Sequence, residues 1–393
     1  MKFIVLLSIF ISSISYSNPI TAENEKIVSN IYSGKMYPLE RINNFKNIDK
    51  LYPVHHIKPS SSPLKLNENY INFDDFNFSS NNKSYDIYDF ISDNYVVGLL
   101  VLKNNEILLE KYNFGFTESD KWMSMSVAKS ISSLILGMAI KDGKIKSENE
   151  LISNYLPSLK NTSYSDVTIK DLITMRSGID WDETYTKVSS DRRKMLTIQN
   201  KQEPNSILPF MASLKKSAPS GEKWNYNTGD TQVVSELLIN ALEENLSVYL
   251  QNKIWNVKNG MESEATWWLD SPNGNEIGGS GFSATLRDYG RLGLFMLNPN
   301  HINSKILPTN WIKKATTPQN INGKIVDYGY LMRTLSLETD NDSYQARGIY
   351  NQNIIINPKN NLVFVILSAP SKPKGANNID TIDFVKAVID KVK

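Results

Sequence analysis

The sequence predicts an α+β domain in three layers, α/β/α: one antiparallel sheet of about five strands built from both chain ends, with an all-helical subdomain inserted between them. Two observations carry that expectation. Strand-like runs cluster at 95–112 and again beyond 325, whereas the stretch between them, about 135–320, repeats its apolar residues at helical spacing. No internal repeat is evident.

The chain opens with a targeting segment. Lys2 supplies the charged start, Phe3 to Ile14 the apolar run, and Ser15-Tyr16-Ser17 a small-x-small cleavage site. The run is too short to span a bilayer, so residues 1–17 read as a signal peptide and the mature chain as an exported bacterial protein, periplasmic or secreted, with no membrane span. Residues 18–84 are polar, with Pro19, Pro38, Pro53, Pro59 and Pro63, and read as an irregular arm laid over the main domain, 85–393. Runs 95–102 and 106–112, joined at Asn104-Asn105, form a hairpin.

Helical patterns follow. Ile131, Leu134, Ile135, Met138 and Ala139 continue a helix beginning near Ser126. Thr168 and Asp171 make a capping-box-like start, and Ser177-Gly178 stops that helix. Residues 229–243 bury Val233, Val234, Leu237, Leu238 and Leu242, and Thr285 with Asp288 caps a further helix through Met296. Strand patterns return at 326–335, 344–349, 353–357 and 362–367, and a helix closes the chain at 379–392.

Composition narrows the function classes. Hydrophobic residues at 40% and charged ones at 21% describe a globular protein, and a net charge of +2 argues against a partner bound by neutralising many phosphates. There is no cysteine, hence no disulfide framework, thiolate metal site or cysteine nucleophile. Three histidines, His55, His56 and His301, leave a zinc site poorly supplied, and no Gly-x-Ser-x-Gly elbow occurs. His55 and His56, in a proline-rich polar stretch, read as surface loop residues. No cofactor and no metal are expected.

Chemistry is concentrated at Ser126 and Lys129. On a helix these are i and i+3 neighbours, about 5 to 6 Å apart at Cβ. A lysine that burial or nearby positive charge has made neutral can activate a serine hydroxyl without histidine, and a helix N-terminus favours the developing oxyanion. Ser-x-x-Lys also occurs at Ser62/Lys65, Ser80/Lys83, Ser213/Lys216, Ser220/Lys223 and Ser371/Lys374, but only the pair at 126 and 129 leads into a long apolar helix. From these residues alone, an ordinary core helix capped by its serine remains an alternative. Tyr226, in the turn-rich stretch 223–231, is a candidate proton shuttle beside that pair; a half-buried structural tyrosine is the alternative.

As a set, these residues resemble the penicillin-recognising serine hydrolases: class C β-lactamases, D-alanyl-D-alanine carboxypeptidases, family VIII carboxylesterases and, nearest, 6-aminohexanoate-dimer hydrolases. The likeness spans roughly 85–370 and rests on 124–130, 167–179, Trp224-Asn225-Tyr226, 278–288 and the end strands, all in the family's order. It implies a β-lactamase/transpeptidase-like fold, with Ser126 as nucleophile, Lys129 as its base and Tyr226 as proton shuttle. It further implies that Ala346-Arg347-Gly348 stands for the third family motif, that the N–H groups of Ser126 and Ile349 form the oxyanion hole, and that Tyr185 faces the substrate. Ala346 replaces a cationic lysine, and Thr228 stands two residues after the tyrosine where the family has an amide. If Ala346 points into the cleft, strand alternation turns Arg347 away from it. Loss of these carboxylate-binding groups favours a carboxylic ester, linear amide or peptide as small-molecule substrate over a β-lactam. The alternatives are a β-lactamase or D-alanyl-D-alanine carboxypeptidase and, from another class, a binding module for cell-wall peptides without turnover. The cleft walls are expected from 180–220 and 255–280.

Overall fold

The structure is a computed structural model describing residues 20–393 apart from 303–304, 338–339 and 377. The expected signal peptide lies outside the described residues. Seven strands form the main sheet, in the order Arg333–Leu337, Asp340–Gly348, Gln352–Asn357, Leu362–Ser368, Val96–Lys103, Glu106–Tyr112 and Asn67–Glu68. Every neighbouring pair is antiparallel except the last, which is parallel.

The two chain ends meet where Leu362–Ser368 pairs with Val96–Lys103, Val365 opposite Leu100 and Ile366 opposite Leu99. Both strands are buried on both faces, which is why they read as continuous apolar runs and not as alternation. On one face Leu100, Leu102 and Val363 pack against helix Leu286–Leu297, whose Gly290 and Gly293 let it approach closely. On the other, Leu99, Val101, Phe364 and Ile366 pack against helices Ile87–Asp93 and Thr381–Val392, with Phe90 and Phe384 stacked at 4.0 Å between ring centroids. These are the three layers, and the mixed α+β class holds.

Three expectations fail in detail. The stretch after residue 20 is no irregular arm: it carries helices Ala22–Ser33 and Pro38–Lys46, which bury Val28, Ile31, Ile42 and Phe45 in the main core. Pro38 starts the second helix, where its missing N–H costs nothing, so the proline signalled a boundary rather than disorder. The main sheet is also wider than expected, because Asn67–Glu68 joins its edge from a polar stretch with no alternation to read.

The central region is not all helical either. Ala265–Trp268 and Phe282–Ala284 form a second sheet with Val54–Ile57 and Trp122–Met123. His55 lies in that sheet opposite Trp267, and its Nδ1 bonds the buried Glu276 at 2.8 Å, so it is not a plain loop residue. No helix among the described residues is long and apolar enough to cross a membrane.

Candidate active site

Helix Val127–Lys141 is buried over 13 of its 15 residues, so it runs through the protein rather than along its surface. Ser126 is its N-cap, yet the hydroxyl caps nothing. That removes the structural use of the serine. The preceding Met125 sits at φ 52°, a left-handed backbone that a bulky side chain rarely adopts, in the turn that presents Ser126. Against this turn lies the end of strand Asp340–Gly348: a Cβ on Gly348 would fall 2.5 Å from the Ser124 carbonyl oxygen and 3.0 Å from the Ser126 nitrogen. Only glycine lets strand and helix terminus meet so closely. The N–H groups of Ser126 and Ile349 have no backbone acceptor among the described residues.

Lys129, 1% exposed, places Nζ 2.9 Å from the Gly279 carbonyl oxygen, 3.1 Å from Thr228 Oγ1 and 3.3 Å from Ser126 Oγ. The polarity of these contacts is fixed from outside. The Gly279 carbonyl can only accept, and the Thr228 hydroxyl, which donates its proton to Glu183, accepts from Lys129. A neutral amine has two N–H bonds and one lone pair, so with both donors committed the lone pair is left for Ser126. Burial lowers the Lys129 pKa to about 7, helped by the positive charges of Arg192, Arg333 and Lys374 against the opposing pull of Glu183.

Tyr226 lies beside this pair: its ring centroid is 5.3 Å from Lys129 Nζ, and it lines the same cleft as Ser126. Burial and the Glu183 charge push its pKa up to about 12, so the phenol keeps its proton at neutral pH. The segment that carries it is held by Asn227, whose side chain caps helix Thr228–Leu242 by accepting from the Asp230 N–H at 3.0 Å. Lys129 therefore meets both Ser126, one helical turn away, and Tyr226, about a hundred residues on in the chain.

Glu183 ties the site together. Its carboxylate accepts from the Thr228 N–H at 3.0 Å and from the Tyr185 hydroxyl at 2.9 Å, besides the Thr228 hydroxyl and the Trp181 indole. Tyr185 lines the cleft outside Ser126, which also takes in Tyr226, Gly348 and Ile349. Ala346 does not reach it. That side chain is 1% exposed in the core, and strand alternation brings Arg347 to the cleft instead, the reverse of the expected orientation. The opposite wall of the cleft comes from Pro370 to Ala376, and of the stretch 255–280 only its end, Gly279 and Ser280, lines the small recess at Ser126. No cluster of His, Asp or Glu among the described residues could hold a metal ion.

Residues 95–385 match the sequence pattern of the β-lactamase family. The chain belongs to the β-lactamase family. Within this family of hydrolases, it is 25% identical over 292 residues to a 6-aminohexanoate-dimer hydrolase from Paenarthrobacter ureafaciens, covering 70% of this chain and 72% of that one. Among solved structures, a candidate 6-aminohexanoate-dimer hydrolase from Bacillus anthracis superposes with a TM-score of 0.77 at 20% identity, over 90% of this chain and 93% of that one. A penicillin-binding protein from Bacillus halodurans gives 0.58 at 15% identity, over 77% and 98%. At these identities the structural likeness speaks for the fold.

In this β-lactamase-family chain Thr228 is more than a departure from the Tyr-x-Asn pattern, and Glu183 carried no sequence signal beyond being one acid among many. Their joint role gives a testable expectation. Thr228→Val keeps the shape but removes the acceptor that fixes one Lys129 N–H, so kcat should fall about 10- to 100-fold with KM little changed. The acid limb of the rate profile should move below its wild-type position, because the ammonium loses an acceptor. Esterase assays across pH check both effects; a wild-type profile would show that the hydroxyl does not orient the amine.

Proposed function

We propose that this protein is an exported serine hydrolase that cleaves carboxylic esters or linear amides through an acyl-enzyme on Ser126. The observation that carries the reading is the lone pair of a buried, half-neutral lysine left facing the serine hydroxyl. Lys129 takes the proton from Ser126 as Oγ attacks the carbonyl carbon. The negative charge gathering on the carbonyl oxygen is met by the N–H groups of Ser126 and Ile349, at a helix start where the field already favours an anion. Tyr226, protonated at neutral pH, gives its proton to the departing alkoxide or amine and recovers one from Lys129. Water then attacks the acyl carbon, its proton returns through the same pair, and the acid leaves Ser126.

The preference for esters and linear amides rests on the resemblance to the dimer hydrolase. Export rests on the amino-terminal charge and apolar pattern alone.

A fluorophosphonate probe followed by intact-mass and peptide mapping tests the chemistry. One adduct at Ser126, lost in Ser126→Ala, is the expected result; no adduct on a protein that retains its fold would favour a binding module without turnover.

A further inference from the structure

A second, smaller recess adjoins Ser126. It shares Ser126, Tyr185 and Ile349 with the outer cleft, and its further wall brings together Tyr32, Arg192, Thr228, Gly279 and Ser280. Its volume is about 10 Å³, room for one water molecule and nothing larger.

Most polar groups on this wall are engaged. Thr228 bonds both Glu183 and Lys129, the Tyr185 hydroxyl donates to Glu183, and the Gly279 carbonyl accepts from Lys129. Three are not. The Tyr32 hydroxyl, Arg192 Nη1 and the Ser280 hydroxyl have no hydrogen-bond partner among the described residues, although these side chains belong to residues only 2%, 3% and 4% exposed. They come from three distant parts of the chain: helix Ala22–Ser33, helix Asp191–Asn200 and the turn before strand Phe282–Ala284. Arg192 stands out, because its guanidinium rests 4.3 Å from the Tyr32 ring centroid with no carboxylate within ion-pair distance among the described residues. A buried polar group left unpaired costs free energy, so three of them converging on one recess mark a place for a small polar ligand.

Resting on the serine-hydrolase reading, we infer that this recess holds the water that cleaves the acyl-enzyme, positioned by Tyr32, Arg192 and Ser280. The guanidinium can only donate, so it engages one lone pair of the water oxygen; the two hydroxyls can accept, and between them they hold one hydrogen. The other lone pair attacks the acyl carbon on Ser126 as the other hydrogen passes, as a proton, to Lys129, whose Nζ is held by Thr228 and Gly279 in the recess wall. The bond from the acyl carbon to Ser126 Oγ then breaks, Oγ takes that proton back from Lys129, and the carboxylic acid is released. A recess of this size keeps its water while substrate fills the outer cleft, and it excludes alcohols.

The test lets methanol compete with water for the butyryl-enzyme formed from p-nitrophenyl butyrate, with butyrate and methyl butyrate measured separately. Both products descend from one acyl-enzyme, so their ratio does not depend on how fast it forms. Tyr32→Phe removes one hydroxyl while keeping the ring beneath Arg192, and Ser280→Ala removes the other. In the double variant hydrolysis should slow about tenfold, whereas methanol, which reaches the acyl carbon from the outer cleft, loses little. The ratio of methyl butyrate to butyrate should therefore rise about tenfold, with the single variants between. Butyryl-Ser126 should accumulate as well, seen as a burst of p-nitrophenol and a gain in intact mass. A general disturbance of the site slows both nucleophiles and leaves the ratio at its wild-type value; that outcome would overturn the inference while leaving the serine chemistry standing. Should the double variant fail to fold, the single variants decide by the same ratio. If the wild type yields neither product, the hydrolase reading itself fails and this inference with it.

Discussion

Ser126→Ala is expected to abolish turnover of p-nitrophenyl butyrate, lowering kcat by about 10⁴-fold or more, while the fold stays intact. The expectation separates two uses of a helix-start serine. A capping serine replaced by alanine costs about 1 kcal/mol of stability and need not affect chemistry. Here the hydroxyl accepts no backbone N–H and instead meets Lys129, so its removal should barely move the melting temperature and should eliminate the nucleophile. Circular dichroism and a thermal melt beside the esterase assay check both halves. Undiminished turnover by Ser126→Ala would remove the acyl-enzyme, and a large stability loss would return the serine to a structural role.

How much of this was legible in the sequence depends on how local the determining physics is. The helix from Val127 could be read because burial on all sides demands apolar residues throughout, and the end strands because two buried faces demand continuous apolar runs. The capping residues Thr168 and Thr285 were visible for the same reason: each acts on a backbone N–H three residues away. The helices before residue 50 were hidden by polar outer faces and by Pro38. The second sheet was hidden too, since its four short strands come from widely separated parts of the chain and none is long enough to show a period.

At the site, the local and the distant divide in the same way. Ser126 and Lys129 are linked by one turn of helix, so spacing exposes them. Glu183 acts through Thr228, 45 residues on, and nothing along the chain marks the pair. Lys374 even stands in one of the discarded Ser-x-x-Lys matches, because its place over Tyr185 depends on how the Pro370 to Ala376 segment folds back across the cleft. Arg347 was assigned the wrong direction because strand phase was taken from Ala346, whose small side chain suits the core as well as a cleft.

Lys129→Met is expected to reduce kcat/KM by about 10³-fold, and the double variant with Ser126→Ala should be little worse than either alone, as for groups that act as one unit. The pH dependence identifies the lysine. In the wild type kcat/KM should rise with pH through about 7, where the amine loses its proton, and the residual activity of Lys129→Met should lack that limb. Stability supplies a second readout, with the sign fixed by linkage. The unfolded lysine keeps its proton up to about 10.4, the folded one only up to about 7. Between those values the unfolded state binds more protons, so the lysine's contribution to stability rises with pH across this window. Below about 7 both states are protonated and the full cost of burying the charge is present; above about 10 it is gone. The stability of Lys129→Met relative to wild type should therefore increase as pH falls from about 10 to about 7 and stay level below that. Urea titrations at several pH values measure the difference. A constant difference across the window, together with an unaltered acid limb in the variant, would mean that Lys129 remains charged and that another group removes the serine proton.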